Sequence, residues 1–140
     1  MNMNKMNGIP AYKVVMIVDD NEIDLYISEN AIKKFGFAQD VVLMNSAIRA
    51  LEYLKSIADT IERLPELIFL DIRMPEMDGF GFLENYEHLP ESIRKKCIIM
   101  MLSSSLDEAD HNRASGNRYV KRFLNKPLGM NKLKELLEQD

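Results

Sequence analysis

Short apolar runs alternate with segments of helical spacing along the whole chain, and this alternation limits the fold more than any other feature. Residues 13–18, 41–44, 67–70, 97–102 and 119–124 are strand-like, and the first four are almost unbroken in apolar, often β-branched, side chains. Such runs suit strands buried on both faces. Between them, residues 21–35 carry Ile23, Ile27, Ala31 and Phe35 at every fourth position, which predicts a helix with that face inward, stopped by Gly36. Ser46 predicts the cap of a second helix whose inner face is Ala47, Ala50, Leu51, Leu54, Ile57 and Ala58. Residues 73–79 read as a loop broken by Pro75 and Gly79, and further helices are predicted over 80–86, 106–115 and 131–138. Five strands alternating with five helices predict an α/β domain with a five-stranded parallel sheet, doubly wound and covered on both faces.

Size and charge narrow the function. A chain of 140 residues suits one domain, here 13–138 behind a flexible leader over 1–12. The net charge of −4 and scattered basic pairs (Lys33-Lys34, Lys121-Arg122) or triplets (Arg94-Lys95-Lys96) argue against nucleic-acid binding. No apolar run approaches a membrane span, and residues 1–8 lack the apolar stretch of a signal peptide. The single cysteine, Cys97, cannot form an intramolecular disulfide and lies in an apolar run, as a core residue rather than a nucleophile. A reducing, cytoplasmic setting is expected. His88 and His111 lie in polar helical stretches and are expected at the surface.

In a parallel sheet the ligand site lies beyond the carboxyl ends of the strands. The first strand ends in Asp19-Asp20, the third in Asp71, the fourth in Ser103-Ser104-Ser105, and the fifth runs into Lys126-Pro127. Three carboxylates brought together repel one another, and a divalent cation removes the repulsion. An open, all-oxygen donor set favours Mg²⁺. A carboxylate, a metal ion, a hydroxyl and a lysine together meet the needs of phosphoryl transfer, which rests on positioning and charge neutralisation. Asp71 is then the nucleophile, with Lys126 and Ser103 binding phosphoryl oxygens.

Four segments carry a resemblance to the receiver domain of response regulators. They are Met16-Ile17-Val18-Asp19-Asp20-Asn21, Leu70-Asp71-Ile72-Arg73-Met74-Pro75-Glu76-Met77-Asp78-Gly79, Met101-Leu102-Ser103-Ser104-Ser105 and Asn125-Lys126-Pro127-Leu128. The resemblance covers about residues 13–138 and implies a flavodoxin-like (βα)5 topology of the stand-alone chemotaxis-receiver type. It implies that Asp71 accepts the phosphoryl group, that Asp20 binds Mg²⁺ directly and Asp19 mainly through water, and that the backbone carbonyl of Arg73 is a further ligand. Lys126 takes the place of the phosphate-binding lysine, followed by a proline that is usually cis. Ser103 takes the place of the switch hydroxyl, preferred over Ser104 because it directly follows the strand. Phe123 takes the place of the switch aromatic.

The implied partners are a sensor histidine kinase or histidine phosphotransfer protein upstream and an unnamed protein downstream. Arg113, Arg118, Lys121 and Arg122 are candidate contacts, and the expected state is a monomer or a phosphorylation-dependent dimer. The implied role is a signalling phosphoacceptor rather than an enzyme. A phosphatase of the haloacid dehalogenase type needs a second Asp two residues after the nucleophile, where this chain has Arg73. A flavin site needs a phosphate-cradling loop where Asp19-Asp20 stand. A receiver-like module that binds partners without being phosphorylated remains the alternative.

Overall fold

The computed structural model describes residues 9–105 and 107–138. Its elements run β1 (Tyr12–Val18), α1 (Glu22–Phe35), β2 (Ala38–Met44), α2 (Ala47–Ser56), a 3-10 turn (Ile61–Arg63), β3 (Leu67–Asp71), α3 (Gly79–Tyr86), α4 (Glu91–Lys96), β4 (Ile98–Ser103), α5 (Glu108–Ser115), β5 (Val120–Asn125) and α6 (Met130–Glu138). All five strands are parallel, in the order β2-β1-β3-β4-β5. Tyr12, placed in the leader by its sequence, already belongs to β1, and residues 1–8 of that leader lie outside the described residues.

Side chains of the central strands alternate between two cores, because successive residues of a strand point to opposite faces. Met16, Val18, Ile68, Leu70 and Met101 face one core, closed by Leu51 and Leu54 of α2, Phe82 and Tyr86 of α3, and Ile93 of α4. Val15, Ile17, Leu67, Phe69 and Leu102 face the other, closed by Ile32 and Phe35 of α1 and by Leu133 and Leu136 of α6. Each fully buried side chain of this size contributes about 1.5–3 kcal/mol. The edge strands β2 and β5 are only partly covered.

Two expectations from the sequence need correction. Ile23 and Ile27 are exposed, at 70% and 39%; the buried face of α1 is Leu25, Ser28, Ala31, Ile32 and Phe35. A series spaced strictly by four drifts about 40° per step around a helix of 3.6 residues per turn. The buried set instead steps mostly by three and four, which holds one direction. The described residues also form six helices rather than five, since α4 forms between Pro90 and Cys97 with Ile93 as its sole buried side chain. One apolar residue carries no periodicity, so the segment is silent in sequence. Within it, Arg94 donates to the Leu89 carbonyl at 2.9 Å and Lys96 to that of Ile61 at 3.4 Å, so the triplet partly braces its own chain.

Candidate functional site

The strand order reverses between β1 and β3, and in sheets of this kind ligands bind beyond the carboxyl ends of the strands at that point. Asp19 and Asp20 follow β1, Asp71 ends β3, Ser103 ends β4, and Lys126 follows β5. The parallel sheet therefore delivers all five to one edge. Asp19, Asp20 and Asp71 each offer a carboxylate oxygen, all within 4.8 Å of one another. Asp19 and Asp71 are buried and Asp20 is exposed, so the cluster opens to solvent on one side. The Lys126 Nζ lies 2.7 Å from Asp19 and 3.3 Å from Asp71. A backbone bond from Lys126 N to the Ser103 carbonyl, 2.9 Å, ties the lysine to the end of β4, and the Lys126-Pro127 peptide is cis.

Local chemistry explains the loop after Asp71. Asp78 caps α3, its side chain accepting from Gly81 N at 2.8 Å. Gly79 N donates to the Ile72 carbonyl at 2.8 Å, which folds the loop back beneath the acceptor residue. A Cβ at Gly79 would lie 2.6 Å from the Asp71 carbonyl oxygen and 2.8 Å from Met101 Cε, so this close approach requires glycine. The Asp-Gly pair of the motif thus positions Asp71. Glu76, in the same loop, has a left-handed φ of 69°.

One ammonium cannot neutralise this many acids. Burial, followed by the charge of Asp19, pushes the Asp71 carboxyl up to about 6, against the opposing pull of Lys126. For Lys126, burial works against the charge, but hydrogen bonds to Asp19 and Asp24 and the charge of Asp71 outweigh it and hold the ammonium well above its ordinary range. The donor set fits a hard divalent cation: three carboxylate oxygens, no sulfur or imidazole, an open side for water, and an excess of negative charge. Cys97 stands apart from this chemistry, its thiol pushed up to about 12 by burial.

The remaining expected residues have these surroundings. Ser103 is buried, its Oγ accepting from Ser105 N at 2.9 Å, whereas Ser104 is exposed. Phe123 is half-buried beside Met101, and the exposed His111 ring lies over it at 4.8 Å. Arg113 sits over the Phe80 ring at 4.1 Å and Arg118 over Tyr119 at 5.0 Å, so both partly serve their own chain.

Sequence reasoning missed three acids. Asp24, in the first turn of α1, accepts from Lys126 Nζ at 2.9 Å across 102 positions of chain. Asp110, buried on α5, pairs with the Arg73 guanidinium, and Asp107 lies 3.8 Å from the same group. A first-turn acid is visible in sequence as a partner of the helix dipole, but its lysine is not.

A family model described as the response regulator receiver domain matches residues 15–138. A probable methanogenesis regulatory protein, FilR2 of Methanothrix harundinacea, is 28% identical over 126 residues, 90% of this chain and 79% of that one. Histidine kinase 3 of Arabidopsis thaliana is 37% identical over 82 residues, 59% of this chain but only 7% of the kinase. Among solved structures, a response regulator receiver protein from Dyadobacter fermentans is 36% identical with a TM-score of 0.78, covering 91% of this chain and 96% of its own. The receiver domain of the histidine kinase CKI1 from Arabidopsis thaliana, complexed with Mg²⁺ and BeF₃⁻, is 25% identical with a TM-score of 0.76, covering 91% of each chain. Sheet order, acidic edge and family match agree: this chain belongs to the response regulator receiver domains of two-component systems.

Proposed function

We propose that this receiver accepts a phosphoryl group on Asp71 from a phosphohistidine of a sensor histidine kinase or histidine phosphotransfer protein, and that the phosphorylated form offers a downstream protein an altered surface. The observation that carries this reading is the meeting of Asp19, Asp20 and Asp71 within 4.8 Å, with Lys126 against two of them. Asp19, Asp20, Asp71 and, by family resemblance, the Arg73 carbonyl would hold Mg²⁺. When bound, the ion would offset the crowded negative charge and neutralise charge developing on the phosphoryl oxygens.

The chain's own groups do the rest. In the metal-free chain burial and the charge of Asp19 raise the Asp71 carboxyl to about 6, so it is already largely ionised at neutral pH, and a bound cation would favour the ionised form further. The Asp71 oxygen attacks phosphorus in line. A P–O bond forms as the P–N bond of phosphohistidine breaks, and the electron pair returns to the imidazole. Lys126 binds one phosphoryl oxygen. Among the described residues, Ser103 Oγ accepts from Ser105 N, so its O–H can turn to a second phosphoryl oxygen. Movement of Ser103 would let the half-buried Phe123 turn inward and shift the surface of α5 and β5. The Arg73 link to Asp110 gives the acceptor loop a hold on α5. The protein acts as a phosphoacceptor on itself, in the cytoplasm.

The test is incubation with acetyl phosphate and Mg²⁺ followed by intact mass measurement. One added phosphoryl group on the wild type, absent from Asp71→Asn, is the expected result. No adduct on the wild type, or an equal adduct on Asp71→Asn, would refute the assignment and favour a receiver-like module that is not phosphorylated.

A further inference from the structure

Lys126 is shared unequally, and the inequality involves a residue outside the metal-binding and phosphoacceptor set. Its Nζ lies 2.7 Å from Asp19 and 2.9 Å from Asp24, but 3.3 Å from Asp71. The backbone of Asp24 is anchored at the helix start: its N donates to the Asn21 cap at 3.0 Å, and Asn21 N donates in turn to Asp19 Oδ1 at 2.9 Å. The contacts Asp19–Asn21–Asp24–Lys126 therefore close on themselves, since Lys126 meets the other oxygen of Asp19. This ring draws the ammonium towards the start of α1, away from the acceptor.

We propose that Asp24 is a positioning residue that parks Lys126 in the unphosphorylated chain and so opposes capture of the phosphoryl group. This rests on the phosphoacceptor reading above. Two effects act in the same direction. A phosphoryl group on Asp71 must compete with the Asp24 carboxylate for the ammonium. That carboxylate, adjacent to the same nitrogen, also repels the incoming negative charge. Asp24 is one-third exposed, so solvent moderates both effects.

Beryllofluoride provides the probe, as a stable stand-in for the phosphoryl group. The chain has no Trp, so binding at saturating Mg²⁺ is best followed by calorimetry and ¹⁹F NMR. Asp24→Asn and Asp24→Ser are both expected to bind about fivefold more tightly than the wild type, and Asp24→Glu, which keeps the charge, to return towards wild-type affinity. A gain on neutralisation with recovery by Glu is what general disruption of the helix start does not produce. Unchanged or weaker binding by folded Asn and Ser variants, while the wild type binds, would overturn the parking role alone. Failure of the wild type to bind beryllofluoride with Mg²⁺ would remove the phosphoacceptor reading and this inference with it.

Discussion

Phe69 and Asp71 stand two residues apart on β3 and are almost equally hidden from solvent, at 0% and 5% exposure. Around Phe69 the neighbours are apolar, from Phe37 at 6.3 Å ring to ring to Ile32 and Leu133 in the same core. Around Asp71 they are two more acids and a lysine shared among three carboxylates. The first environment returns free energy on folding. The second costs it, because a buried carboxylate beside other carboxylates resists ionisation. The chain keeps both within one strand, so the sheet interior supplies the stability that the charged edge spends. Substitutions at the two places should therefore have opposite signs.

The largest effect is expected in the interior. Phe69→Ala should lower the unfolding free energy by about 3–5 kcal/mol, measured by urea denaturation. At the boundary, Gly79→Ala should cost about 1–3 kcal/mol, because its Cβ meets the Asp71 carbonyl, and should also slow phosphorylation by displacing the acceptor.

At the edge the sign turns. The Asp71 carboxyl is raised from 3.8 to about 6 in the folded chain, so the folded state holds the proton more tightly than the unfolded one. The penalty is absent below pH 3.8, grows between there and about 6, and is complete above. Asp71→Asn should thus stabilise the metal-free protein by about 1–3 kcal/mol at pH 7 and by little near pH 4. A variant that destabilised equally at both pH values would erase the contrast. Arg73→Ala, which removes a largely exposed guanidinium from Asp110, should cost under about 1 kcal/mol. Its clearer signature would be faster amide exchange in α5.

What was legible in the sequence follows the same division. Strand runs such as residues 67–70 and 97–102 are apolar because both faces of the sheet are covered, and strand ends in a parallel sheet converge by topology. Asp71, Asp19, Asp20, Ser103 and Lys126 could therefore be placed at one edge without coordinates. Pairings made by side-chain reach were hidden. Nothing in one sequence joins Asp24 to Lys126, or Arg73 to an acid 37 positions away. The inward face of α1 is only half legible, because Ile23 and Ile27 are apolar without being buried while Ala31 and Phe35 of the same series are buried, and α4 is silent because a helix of under two turns with one buried side chain leaves no period.

The measurement closest to the central claim is the thermal unfolding midpoint of the wild type and Asp71→Asn, with and without millimolar Mg²⁺, at pH 7 and pH 4. If the edge is a charge-crowded cation site, Mg²⁺ should raise the wild-type midpoint at pH 7, raise that of Asp71→Asn less, and do little for the wild type at pH 4, where Asp71 is protonated. A wild-type midpoint indifferent to Mg²⁺ at pH 7 would contradict it.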